Sequence, residues 1–438
     1  MANPANTIFS LHGKGLKLDT RADLEPLLKD VDPTILEEIH FGGNTIGVDA
    51  AQALAEFLAK AHSLKVRYAP LTSIPIDGWM GRSSHHPHKS TNQKLTYTLL
   101  TQVADFADIF TGRLISEIPQ ALSAICDALI DKTSLVEINL SDNAFGGRSV
   151  DPMVPFLTHN RSFQILRLNN NGLGPAGGEV IANALLESAR LSKAEGKQSN
   201  LRVVICGRNR LENGSAEAWA AAFAEHGTLE EVRMVQNGIR MEGITALARG
   251  LAKNPGIQHI DLQDNTFTVD GELTGVEAWT EALSSWPELH TLNLSDCVLS
   301  TDGEVPTLIE SLAKGSNPKL HTLQLQNNNL ENASFGVLAG AISEGLANLM
   351  NLELQWNDVE EDDEHIESLA LSLKQRGGKL FATDDDEEES EEEKEEKEDE
   401  EDDKEEEEAK ILVPETVPAK PKDDTDELAD LLNKGLKI

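Results

Sequence analysis

The chain has 438 residues, with 75 acidic against 38 basic side chains and a formal charge of −37. That excess repels polyanions, so nucleic acid is not an expected partner, and basic proteins are favoured. Its three cysteines show no C-x-x-C spacing, and no apolar run reaches the length of a membrane span. Disulfide scaffolds, zinc ribbons and membrane-spanning classes therefore fall away, and free thiols in a reducing compartment remain.

The N-terminus, MANPANTIFSLHGKG, has no long apolar run and does not read as a signal peptide. Residues 7–19 read as an opening strand and cap rather than a full repeat. The first full unit is Leu36, Ile39, Phe41, Asn44 and Ile46, which fits L-x-x-L-x-L-x-x-N-x-L, the leucine-rich-repeat pattern. Its loop GGNTIG leads into DAAQALAEFLAKA, whose Ala and Leu recur at helical spacing. Strand, turn and helix thus form the repeating unit.

The next unit opens at Leu64 and then loses register. Residues 66–102 form an irregular, Ser/Thr-rich insertion, and the pattern returns at Val103-Ala104. Joining Lys65 to Val103 gives LKVADFADIF, a regular repeat strand. Two readings are compatible with the insertion. One is a surface loop, which repeat proteins tolerate. The other is a translated retained intron, since Val66-Arg67 fits a GTACGT donor, Leu95-Thr96 a CTAAC branch point and Gln102 a CAG acceptor. With the insertion in place the strand is expected to be cut after Val66, leaving backbone groups unpaired on its neighbours. His85, His86 and His88 lie inside this segment; a solvated loop explains them better than a metal site.

Further units start at Leu135, Phe163, Leu201, Leu229, Ile257, Leu289, Leu320 and Leu349. Starts at 201, 229 and 257 give a period of about 28, long enough for a true helix behind each strand. The predicted fold is an α/β leucine-rich-repeat solenoid over residues 1–381, a crescent with a parallel sheet on its concave face and helices on its convex face. Cys206 fills an apolar strand slot, and Cys297 the slot usually held by Asn. Asp384 to Glu408 is nearly all Asp and Glu and carries about half the net charge. Residues 382–410 are therefore expected to be a disordered acidic tail. Residues 411–438 read as a Pro-containing linker and a short amphipathic segment through Leu428, Leu431, Leu432 and Leu436.

No Gly-rich phosphate loop with its Lys, no H-E-x-x-H and no G-x-S-x-G is present. The repeated asparagines, Asn143, Asn171, Asn209, Asn237 and Asn265, read chiefly as turn-forming. The residues that immediately precede four of them, Asp142, Asn170, Arg208 and Asp264, are not required by the template. They sit on loops at one edge, where one partner could touch several. With Asn143 they form the partner-binding candidates. Arg113, in FTGR, occupies a loop, as an arginine finger would; it could equally pin that loop to a carboxylate.

The segments GGNTIG, FADIFTGRL-x-x-EIP, LSDNAFG, NNNGLGP, GRNRLENG, VQNGI and LQDNTFT resemble, in the same order, those of the Ran GTPase-activating proteins, and the acidic tail agrees. The resemblance implies a crescent that binds Ran-GTP, alone or beside a Ran-binding protein, and accelerates hydrolysis by ordering the GTPase's own glutamine without an arginine finger. It implies an activator with no catalytic centre or cofactor of its own, GTP and Mg belonging to the partner. The family's glutamine-contacting Asn corresponds to Asn170, its essential loop Arg to Arg113 and a Ran-contacting Asp to Asp264. The family's basic residue two positions after the loop Arg is Ile115 here, and the insertion is foreign to the family. The chain ends soon after its acidic tail, which implies the fungal type: monomeric, without membrane attachment, cytoplasmic or perinuclear. A second reading from another class is a stoichiometric clamp like ribonuclease inhibitor, which three cysteines argue against.

Overall fold

Two inward apolar positions one residue apart, repeated along a chain, can bury only against copies of themselves. The computed structural model describes residues 7–61, 102–360 and 362–383. Among these, twelve three-residue strands form one parallel sheet in strict chain order, from Ile8–Ser10 through Glu38–His40 and Val103–Asp105 to Lys379–Phe381. The register never slips: Ile138 lies beside Leu166, Leu166 beside Val204 and Val204 beside Val232. Each of these central side chains is fully buried, as are Ile39, Ala104, Ile260, Leu292, Leu323 and Leu352.

Helices return the chain behind the sheet, among them Val48–Lys60, Ile118–Leu129, Gly174–Ala194, Glu212–His226, Met241–Leu251 and Thr274–Leu283. Neighbouring helices pack in sequence order. They are wider than the strands they back, so the stack curves with the sheet inside. The helix layer is filled by Trp219, Trp279 and Trp286, all fully buried. Trp279 and Trp286 have ring centroids 5.3 Å apart, and their indole N–H groups donate at 3.0 Å to the carbonyls of Ile244 and Leu251.

The template asparagines form a ladder that Cys297 interrupts. Asn171 donates from its amide to the carbonyls of Leu168 in its own repeat and Leu140 in the preceding one, both at 3.0 Å. Its Oδ1 accepts from the Asn143 N–H at 2.9 Å. Asn209 and Asn237 accept in the same way from the N–H groups of Asn171 and Asn209. Polar backbone buried at each turn is thereby satisfied by the next repeat. Cys297, in the Asn slot, keeps weaker sulfur contacts to the carbonyls of Leu262 and Ser295 at 3.4 and 3.3 Å. A second ladder, which the template does not contain, runs at the helix ends. Asn160, Asn254 and Asn317 donate to the carbonyls of Leu129, Phe223 and Leu283 of the unit before.

Two expectations are corrected. The opening segment goes further than a strand and cap. Ile8–Ser10 pairs with Glu38–His40, Lys17–Leu18 pairs with Thr45–Ile46, and the helix Arg21–Leu28 completes a strand–turn–helix unit. The third strand is Val103–Asp105, paired on both sides. The insertion does not leave the neighbouring backbone unpaired. The Gln102 carbonyl accepts from the N–H groups of Val136 and Glu137 at 3.0 and 3.1 Å. Leu64, the histidines of the insertion, the acidic run and the C-terminal segment lie outside the described residues.

Candidate functional site

Between the last inward strand residue and the ladder Asn, each repeat must turn sharply while both neighbours stay buried. The intervening residue takes up the turn in the left-handed region. Asp142, Asn170, Arg208 and Asp264 have φ of 62°, 53°, 57° and 56°. Asp and Asn tolerate this region better than most residues; Arg does not share the advantage. Each N–H donates to the next repeat: Asp142 to Asn169 O at 2.8 Å, Asn170 to Gly207 O at 2.9 Å, Arg208 to Val235 O at 2.8 Å and Asp264 to Ser295 O at 3.0 Å. The four candidates therefore share one register along one edge of the sheet, and all are exposed. Asp108, Gln236, Asp296, Asn327 and Trp356 hold the equivalent positions with φ between 48° and 58°. The result is a ridge with adjacent members about 4.8 Å apart.

Within the ridge, Asn170 is held from one side. Its Nδ2 donates to Asp142 Oδ1 at 3.0 Å. Asp142 thereby fixes the rotamer of Asn170 and leaves the amide oxygen and one N–H for a partner. The guanidinium of Arg208 has no partner among the described residues. Asn143, proposed from sequence as partner-binding, is not available. It is 1 % exposed, its amide donates to the carbonyls of Phe106, Leu140 and Ser141, and its Oδ1 accepts from Ile109 N–H. It belongs to the buried ladder and faces no surface.

Arg113 turns inward. Its side chain is only 8 % exposed. It pairs with Asp19 and donates to the carbonyls of Leu18 and Thr45 at 3.3 and 3.0 Å and to Thr45 Oγ1 at 3.1 Å. Asp19 is held below the usual carboxylate range by Arg113 first and Lys17 second. Gly47 makes room for this pair: a Cβ there would stand 2.7 Å from the Asp19 carbonyl and 3.2 Å from Arg113. Asp19 and Thr45 lie 94 and 68 positions away from Arg113 in sequence, so no local motif could have revealed them. Pinning Arg113 leaves the next two residues outside: Leu114 and Ile115 are 67 % and 69 % exposed.

Asparagine ladder, unbroken parallel register and backing helices define a leucine-rich-repeat protein, and the ridge is its candidate partner-binding surface. The family model described as "Leucine Rich repeat" matches residues 159–182. "Ran GTPase-activating protein 1" of Saccharomyces cerevisiae is 33 % identical over 367 residues, 83 % of this chain and 81 % of that protein. The Xenopus laevis protein of the same name is 39 % identical over 242 residues, 54 % of this chain and 35 % of its own length. Among solved structures, an internalin from Listeria monocytogenes aligns over 86 % of both chains with TM-score 0.42 and 16 % identity. The chain belongs to the Ran GTPase-activating protein family.

Proposed function

We propose that this chain stimulates hydrolysis of the GTP bound to Ran, acting in trans on the GTPase's own site. In the cytoplasm such an activity supports directional nucleocytoplasmic transport. The observation that carries the mechanism is Asn170, exposed on a rigid ridge and oriented by Asp142. Phosphoryl transfer needs an oriented water and stabilised charge rather than covalent help. A fixed carboxamide that both donates and accepts can lock a glutamine carboxamide of the GTPase, which in turn orients the attacking water. Asp142, Arg208 and Asp264 are the neighbouring contacts. GTP and Mg come with the partner.

Arg113 acts in this reading as an organiser. A finger must reach the transferring phosphate, whereas this guanidinium is engaged by Asp19, Leu18 and Thr45. Its effect on Ran is exerted through the loop it holds, including the exposed Leu114 and Ile115.

The test is multiple-turnover GTP hydrolysis by Ran with trace amounts of this chain. A stoichiometric clamp would not turn over. Asn170→Ala should lower turnover by about two orders of magnitude, since a misplaced reacting group costs that much, while Ran-GTP affinity changes far less. Equal losses in both would make Asn170 a plain contact residue. Circular dichroism and melting of the variant are expected to match wild type.

A further inference from the structure

The ridge that carries Asn170 ends in a residue of another kind. Trp356 occupies the same turn position six strands further on, with φ 58° and the residue 56 % exposed. Every other tryptophan among the described residues is fully buried. Left-handed backbone is tolerated by Asn and Asp and is an outlier for a bulky side chain. Packing does not explain the choice, because the equivalent positions hold Asp, Asn, Gln and Arg.

Both sequence neighbours of Trp356 are clamped. Gln355 is 1 % exposed and accepts from Gln326 Nε2 at 3.1 Å, and its carbonyl accepts from the Asn327 N–H at 3.0 Å. Asn357 donates to the carbonyls of Leu325 and Leu354 at 2.9 and 2.8 Å and accepts from the N–H groups of Asn328 and Leu330 at 2.9 and 3.0 Å. The indole is thus presented from a fixed backbone, so little freedom is lost when something stacks on it. Rigid, exposed tryptophans are the residues that most often dominate an interface.

The surroundings select the partner. From Asp264 onward the ridge holds Asp264, Asp296 and Asn327 and no cation, and the turn after Trp356 exposes Asp358 and Glu360. Carboxylates repel nucleic acid and anionic lipid. They attract guanidinium and ammonium groups, and Arg stacks on an indole face while its edge donates to carboxylates. We infer that Trp356, with Asp358 and Glu360, is a docking surface for an arginine-bearing segment of a basic protein, separate from the Asn170 site.

The experiment uses the full chain carrying Trp79→Phe, so that Trp356 is the exposed fluorophore followed, and contains no GTPase; its result is independent of the activity proposed above. Capped hexa-arginine, hexaglutamine and an apolar helical peptide are titrated while indole emission is recorded, with calorimetry reporting total peptide bound. Hexa-arginine should shift and quench the emission and hexaglutamine should not. Peptide held by the acidic run alone would register in calorimetry without changing the emission. Asp358→Asn combined with Glu360→Gln should raise the emission midpoint about fivefold, as loss of two exposed ion pairs would, and Trp356→Ala should remove the emission response. Unchanged emission while calorimetry shows hexa-arginine bound would overturn the proposal. So would an unchanged midpoint in the double variant, or a stronger emission response to the apolar peptide.

Discussion

Arg113 and His226 show how burial assigns a role to a single residue. The guanidinium of Arg113 is a planar fork that meets Asp19 on one nitrogen and Thr45 and Leu18 on the other. Lysine keeps the charge and loses the fork. Arg113→Lys should therefore weaken Ran-GTP binding and turnover together, as a loosened loop would. A variant that binds normally and fails only in turnover would make Arg113 a transition-state ligand after all. Asp19→Ala should give a defect of the same kind, and the double variant should lose less than the sum of the two, because the changes share the Arg113–Asp19 contact. At His226 the effect is on stability. Burial first of all pushes its imidazole down to about 4, and its Nδ1 faces Ser199 Oγ. In the unfolded chain a histidine titrates at about 6.5. The folded state thus binds the proton less well than the unfolded one. Its contribution is fully present above about pH 6.5 and is lost as pH falls towards 4. Melting temperature measured over that window should fall more steeply for the wild type than for His226→Gln; parallel curves would refute this.

At the scale of elements, the asparagine ladder decides how the repeats are joined. A three-residue strand offers few backbone bonds, so the turn after it must be satisfied from the side. Asn171→Ala would remove one of two amide donors from each of the carbonyls of Leu140 and Leu168, which keep Asn143 and Asn209, and would leave the buried N–H of Asn143 without its acceptor. Unsatisfied buried groups cost about 1–3 kcal/mol each. With one such group left, the loss should be about 2 kcal/mol in denaturant unfolding. Cys297 offers the opposite test. It is fully buried and its thiol is pushed up by burial, which makes it an inert filler and no nucleophile. Cys297→Asn is nearly the same size and restores an amide to the ladder, so the midpoint of unfolding should rise. A lower midpoint would mean that the turn at Cys297 has closed around sulfur too tightly to admit an amide. Much of this ladder is legible in the sequence, because the Asn recurs at a fixed distance from the strand leucines. The helix-end ladder of Asn160, Asn254 and Asn317 is not, because its members fall outside the eleven-residue template and their spacing varies with helix length.

For the whole molecule, charge is distributed by segment. The repeats supply the buried core, and Asp384 to Glu408 supplies about half the net charge without an apolar residue. Deleting that run should leave the melting of the repeats unchanged. The association rate with Ran should fall at low salt, and the difference should shrink as ionic strength rises and screening shortens its reach. Earlier melting, or an unchanged association rate at low salt, would contradict this. The sequence by itself determined the solenoid, the repeat boundaries from Leu36 to Leu349 and the family, because those rest on periodicity, and a period is a local property of the chain. It also singled out Asp142, Asn170, Arg208 and Asp264, since each departs from the template at a countable position. Only the tertiary structure decided which of the polar residues are exposed with polar atoms to spare. Asn143, a partner candidate by sequence, spends its amide on the carbonyls of Phe106, Leu140 and Ser141, whereas Asn170, one position before its own ladder Asn171, stays on the ridge with only Asp142 to hold it. Arg113 reads as a free loop arginine until the opening unit, nearly a hundred residues earlier, closes over it with Asp19. Contacts of that separation have no signature in spacing, because they are fixed by how many repeats lie between two residues and by the turn each one makes.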